Sequence, residues 1–268
     1  MSNIYQAAAS AVERGEAVAL ATIVRVAGAT PRGVGTKMLV YADGTTEGTI
    51  GGGGLEARVI AEAQEALRVG EPRLLNFTLR DTKAGDPGIC GGEADVFIDV
   101  LLPHPTLLVV GAGHVAVPVA ELGALLGFRT VVLDDRAEFV TRERFPRADE
   151  LLVGDIPTEL ARFPINRQTH IVIITRGHVH DEAALRAVLD SPAFYIGMIG
   201  SRRKVRTVFD NLRAAGANEE ALSRVRAPIG LDIGAETPEE IALSIMAEIV
   251  MLRRGRRGEP LKLEGERG

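Results

Sequence analysis

A chain of 268 residues, 46% hydrophobic and 25% charged, is long enough for two modest domains that each bury a core. The formal net charge of −5, with no Lys/Arg run long enough to track a phosphate backbone, argues against nucleic acid as a partner. Cys90 is the only cysteine, which excludes an intrachain disulfide and fits a reducing, cytoplasmic compartment. No apolar run is long enough to span a bilayer.

In chain order, MSNIYQAAASAVERGEA reads as an amphipathic helix ended by Gly15, not as an export signal. Residues 17–26 and 36–41 are β-branched apolar runs, and Asp43-Gly44 signals a hairpin turn. Residues 55–69 carry helical spacing at Leu55, Val59, Ala63 and Leu67, with Gly70 as the stop. Residues 94–101 alternate Val96, Ile98 and Val100, the pattern of a half-buried strand. Pro103-His104-Pro105 then breaks the pattern and sets the expected boundary between domains 1–103 and 104–268.

The second half alternates strand and helix. Strands are expected at 106–110, 129–133, 150–153, 170–174 and 194–199, and helices near 115–126, 182–189 and 202–215. Most strands are continuous apolar runs, as in a parallel sheet covered on both faces. The fold class is therefore α/β: a mixed α/β domain followed by a Rossmann-type doubly wound sheet. Thr237-Pro238-Glu239-Glu240 starts a last helix with a capping box, and its stripe of Ile241, Ile245 and Ile249 needs a surface to pack on.

The chemistry lies in the loops. Gly111-x-Gly113-x-x-Ala116 joins a strand to a helix, a turn that cradles pyrophosphate on backbone N–H groups. Asp134, 23 residues after Gly111, stands where an acid accepts the hydroxyls of an adenosine ribose. His114 either contacts such a ligand or lies exposed at the helix start. A second glycine loop includes Gly51, Gly52 and Gly53 ahead of a helix, and reads as an anion nest rather than a linker, with Glu56 as a first-turn carboxylate. Cys90, between glycines, is either a small buried hydrophobe or an accessible thiolate. Thr175-Arg176-Gly177-His178-Val179-His180-Asp181 falls at a strand's carboxyl end, with His178 lining a pocket and Asp181 capping a helix; the spacing does not suit zinc. Ser201, in Gly-Ser-Arg-Arg-Lys, opens a helix that holds an anion or is simply a solvated turn.

GTIGGGGLE, Cys90-Gly91-Gly92, GAGHVA, DDR, TRGHVHD, YIGMIGSRRK and APIGLDIGAETPEEIALSIMAEIV, in this order, resemble the XdhC/CoxI family over nearly the whole chain. The resemblance implies an N-terminal XdhC domain, a following Rossmann domain, and commonly a homodimer. It implies an accessory factor of molybdenum hydroxylases of the xanthine or carbon monoxide dehydrogenase type. Such factors bind molybdenum cofactor, as molybdopterin or its dinucleotide form, protect it during sulfuration and insert it into the apoenzyme. The implied partners are a cysteine desulfurase-type sulfur donor and a molybdenum hydroxylase subunit. The implied metal contact is Cys90. The alternative, resting on GAGHVA and Asp134, is an oxidoreductase using NAD(P) or another nucleotide.

Overall fold

The computed structural model describes residues 3–78 and 92–261, so Cys90 lies outside the described residues. The chain divides into two compact units, Met1–Pro103 and His104–Gly268.

The first unit is a five-stranded antiparallel sheet with a helix on each face. Its elements are α1 (Ile4–Glu13), β1 (Val18–Ala27), β2 (Lys37–Tyr41), β3 (Thr46–Gly48), α2 (Gly53–Val69), β4 (Arg73–Thr78) and β5 (Glu93–Leu101), with strand order β3-β2-β1-β5-β4. Alternation puts Ala94, Val96 and Ile98 of β5 on the buried face, under Leu55, Val59, Ala63 and Ala66 of α2. On the other face Ala8 and Ala11 of α1 meet Val18 and Leu39. The hairpin at Asp43-Gly44 forms as expected, with Asp43 Oδ1 accepting from the Thr45 N–H at 2.9 Å and Gly44 at φ +86°. Strand β4 was not legible in the sequence, because only Phe77 in it is fully buried.

The second unit carries β6 (Thr106–Val110), α3 (Ala116–Leu125), β7 (Arg129–Asp134), β8 (Glu150–Val153), α4 (Ile156–Arg162), β9 (Thr169–Ile173), α5 (His178–Val188), β10 (Tyr195–Met198), α6 (Arg202–Ala214), α7 (Glu219–Ser223), β11 (Val225–Arg226) and α8 (Pro238–Arg253). All pairings are parallel, in the order β11-β10-β9-β6-β7-β8. This is the doubly wound order of a Rossmann domain, and its switch point lies between β6 and β9.

Alternate residues feed two cores. Leu108, Val110, Ile171 and Ile173 pack under α4, α5 and α6, while Leu107, Val109 and Val172 pack under α3 and α8. The stripe on α8 thus finds its surface, with Ile245 and Ile249 fully buried, and the Thr237–Glu240 capping box is present. Arg253, the last residue of α8, lies over the Phe128 ring at 4.8 Å from its centroid.

Candidate functional site

Because the second sheet is parallel, every strand delivers its following loop to one edge. Gly111 and Gly113 follow β6, Asp134 ends β7, His178 begins α5 after β9, and Ser201 caps α6 after β10. Gly111 has φ +109°, and a Cβ there would stand 2.4 Å from the Ile174 carbonyl oxygen. Only glycine lets β6 and β9 close at the switch point. Gly113 differs: a Cβ on it would meet nothing within 4 Å, so the backbone faces open space. His114 is exposed and lines a groove of about 670 Å³ between α3, residues 138–146 and the start of α8.

Asp134 is held by the protein's own donors. Its side chain is only 3% exposed. Oδ2 accepts from the Ala112 N–H at 2.7 Å and from Arg136 Nη2 at 2.9 Å. Oδ1 accepts from the Arg136 N–H at 3.0 Å and Nε at 2.9 Å. Four donors fill the roughly four lone-pair positions of a carboxylate. Burial works against the charged form, but the bonds from Arg136 and Ala112 outweigh it and hold the carboxyl well below the usual carboxylate range. Asp134 is therefore the pin that ties the glycine turn to the end of β7. The neighbouring Asp135 pairs with Arg176 at 2.9 Å, and Arg176 Nε donates to His180 Nε2 at 3.1 Å.

Asp181 departs from expectation. The N-cap of α5 is Gly177, and Asp181 lies inside the first turn. Its Oδ1 accepts the Thr175 N–H at 3.1 Å and the Thr175 hydroxyl at 2.6 Å, while Lys204 pairs with Oδ2. A third buried carboxylate, Glu248 on α8, accepts from the Tyr195 hydroxyl at 2.5 Å and the Gly230 N–H at 3.0 Å. Burial and the adjacent Glu248 push the Tyr195 phenol far above its ordinary range. Glu248 thereby anchors the Ala227–Gly234 loop that follows β11. Neither Asp181 nor Glu248 was assigned these roles from sequence, since their partners lie on other elements.

In the first unit Gly51, Gly52 and Gly53 all take positive φ, at 133°, 77° and 65°. Three such residues in a row explain why only glycine occurs there. Glu56 covers part of this turn. Its Oε2 reaches back to accept from the Thr49 hydroxyl at 2.6 Å and the N–H groups of Ile50 and Gly52 at 3.2 and 3.1 Å. Burial opposes ionisation, but Thr49, Gly52 and Ile50 prevail and lower the Glu56 pKa.

The β1–β2 loop was missed by the sequence reading. A Cβ on Gly51 would meet Pro31 Cγ at 2.8 Å, and one on Gly92 would meet the Ala29 carbonyl oxygen at 2.2 Å. The β1–β2 loop thus touches the glycine turn through Pro31 and the residue before β5 through Ala29. Paired glycines at Gly28 and Gly35, both at positive φ, were the available signal. Among the described residues no group of three or more His, Cys, Asp or Glu could hold a metal ion, and no helix is long and apolar enough to cross a membrane.

The fold and rim define a Rossmann-type domain with its loops gathered at one sheet edge, preceded by a small antiparallel α/β unit. Residues 107–249 match the XdhC Rossmann domain, and residues 11–78 match the XdhC and CoxI family. The chain belongs to the XdhC/CoxI family. It is 39% identical over 94% of its length to the Escherichia coli K12 protein YqeB, covering 46% of that protein. It is 33% identical over 60% of its length to a Bacillus subtilis protein named as a probable subunit of xanthine dehydrogenase, again covering 46%. The chain thus spans about half the length of these two relatives. With the molybdenum cofactor insertion chaperone PaoD of E. coli it shares 24% identity over 93% of this chain and 88% of that one. A solved structure named a xanthine dehydrogenase, from Bacillus halodurans, shares the fold at TM-score 0.52 and 23% identity, covering 94% of this chain and 96% of that one.

Proposed function

We propose that the chain is a molybdenum-cofactor-binding accessory factor, which carries the cofactor and assists its sulfuration and insertion into a molybdenum hydroxylase of the xanthine or carbon monoxide dehydrogenase type. The observation that carries this reading is the similarity to the cofactor insertion chaperone PaoD along almost the full length of both chains. In this reading the protein is a chaperone rather than a turnover enzyme. It acts in the cytoplasm as a homodimer, with a cysteine desulfurase-type sulfur donor and the client hydroxylase as partners.

The residues present fit a phosphate-bearing group. Gly113 leaves open the space a side chain would fill, and Ser201 stands at the head of α6 on the same edge. Gly111, Gly113, His178 and Ser201 would hold the cofactor at this edge, with His114 beside it. Gly51, Gly52, Gly53 and Cys90 would form a second contact region in the first unit. Bound cofactor supplies a soft metal centre, for which the Cys90 thiolate is a suited ligand. A single protein ligand also permits release to an acceptor more readily than a closed four-ligand cage. The competing NAD(P) reading rests on the GAGHVA turn and requires the Asp134 carboxylate to exchange one of its present donors for the ribose.

The test is the molybdenum and pterin content of the protein and of Cys90→Ser, co-produced with a cofactor-synthesising pathway and purified anaerobically. The wild type is expected to retain both, and the serine variant to lose most of them without change in melting temperature. A wild type that carries no pterin but binds NADH tightly would overturn the proposal in favour of the oxidoreductase.

A further inference from the structure

Two of the buried carboxylates of the second unit end on cations that reach solvent: Asp134 on Arg136, two residues along its own chain segment, and Asp181 on Lys204, brought from another helix. Asp181 is 0% exposed, while the side chain of its partner Lys204 is 25% exposed. Lys204 lines, with Ser201, Arg203 and Thr207, a cavity of about 440 Å³. Three neighbours aim this lysine. Ser201 Oγ accepts its backbone N–H at 3.3 Å, and Asp181 takes its ammonium. Gly200 clears its stem, for a Cβ there would come within 3.0 Å of Lys204 Cδ. The Gly-Ser-Arg-Arg-Lys segment is thus an arrangement for delivering one ammonium to one place.

A buried carboxylate–ammonium pair is a weak source of stability, because an apolar pair of similar volume does as well or better. Its advantage is different. An ammonium already held in place, with part of its hydration removed, loses little further freedom when an anion arrives. A lysine fixed by an acidic partner on a neighbouring helix is the same device that presents a cation to nucleotide phosphates in kinases.

We propose that Asp181 is a positioning residue which presents the Lys204 ammonium, flanked by Arg203 and the hydroxyls of Ser201 and Thr207, to the phosphate of a phosphate-bearing ligand at the carboxyl edge of the sheet. Lys204 touches the ligand, and Asp181 acts through Lys204. The inference rests on the reading of this edge as a cofactor holder and names the group that receives the cofactor's phosphate.

The experiment uses the full chain, with inorganic pyrophosphate as calorimetric probe, and records a melting temperature for every variant. Wild type is expected to bind pyrophosphate more weakly as salt rises. Lys204→Met should weaken binding at least tenfold, and Lys204→Arg should retain most of it. Asp181→Asn, which leaves the lysine unanchored, should weaken binding several-fold. The double variant D181N/K204M removes both charges, so it should recover melting temperature without recovering binding. A merely structural pair would behave otherwise, with binding returning as stability returns. The proposal is overturned if wild type does not bind pyrophosphate, if Lys204→Met binds it as tightly as wild type, or if the double variant regains binding. Pterin content and NADH titration on the same preparations identify the source of the phosphate. They decide the carrier reading separately from the pyrophosphate result, so the two can fail independently.

Discussion

The two glycine-rich turns meet the same problem, free backbone N–H groups ahead of a helix, and answer it differently. In the first unit the carboxylate comes from the helix itself, where Glu56 folds back over Ile50 and Gly52. In the second unit it comes from the neighbouring strand, where Asp134 reaches across to Ala112 and is itself neutralised by Arg136. The first turn is capped locally, and an incoming anion has to compete with Glu56 for those N–H groups. The second is pinned at Ala112 and left open at Gly113. The difference teaches that a glycine run before a helix does not by itself make an anion site, because the protein's own carboxylates have first claim on the donors.

The contrast breaks most sharply at Gly111. Gly111→Val combines a left-handed φ with a clash against the Ile174 carbonyl, so it should cost roughly 4 kcal/mol and leave little soluble protein. At Gly113 an added Cβ meets no atom within 4 Å, so Gly113→Val should change stability by only about 0.5 kcal/mol while ligand binding at this edge is lost. Urea denaturation of both variants checks the pair. Equal stability loss at the two positions would erase the distinction between a packed and an open glycine.

A smaller effect separates the two units by pH. All five histidines lie in the second unit. His170 is buried there, its Nδ1–H donating to the Gln168 and Thr106 carbonyl oxygens at 3.0 and 3.3 Å, between the rings of Phe128 and Phe194. Burial, helped by Arg253, lowers its pKa from the ordinary 6.5 to about 4. The unfolded chain therefore takes up a proton that the folded chain refuses. Stability is fully present above pH 6.5 and is lost as pH falls toward 4, by about 3 kcal/mol at most. Hydrogen exchange followed from pH 7 to 4.5 should show opening of the β6–β9 strands before those of the first sheet. His170→Phe should remove the dependence, and an unchanged pH profile in that variant would rule the histidine out.

The smallest effect is expected at Glu56→Gln, which weakens the cap on the first glycine turn without emptying it. The expected cost is about 1 kcal/mol, read from the urea midpoint. Because Glu56 is the acid that competes with an incoming anion, the variant should also bind sulfate more tightly than wild type. Unchanged sulfate affinity would mean that the first turn is a closed structural cap.

Much of the fold was legible because its signals are local. Helix α8 announces itself through Thr237, Pro238 and Glu240, whose partners are each other, and α2 ends at Gly70 in the left-handed conformation its neighbours require. The alternating apolar strands and helices of the second half led to a parallel sheet, which is what forms. The short elements escaped for the same reason. β11 has two residues and α4 seven, too few for a periodic signal.

The candidate residues divide along the same line. By itself the sequence determined the backbone demands: glycine at 51 to 53 and at 111, the Ser201 cap, and the delivery of loops to one sheet edge. These follow from φ preferences and strand direction, which are properties of a few adjacent residues. Only the tertiary structure decided what the carboxylates do. Asp134 looked like a ribose acceptor until the fold set Ala112 and Arg136 around it, and Asp181 looked like a cap until α6 brought Lys204 to it. A carboxylate's role depends on which donors fill its lone pairs; Arg136 is two residues along the chain from Asp134, but Ala112 and Lys204 come from elements that only the packing of strands and helices brings within reach.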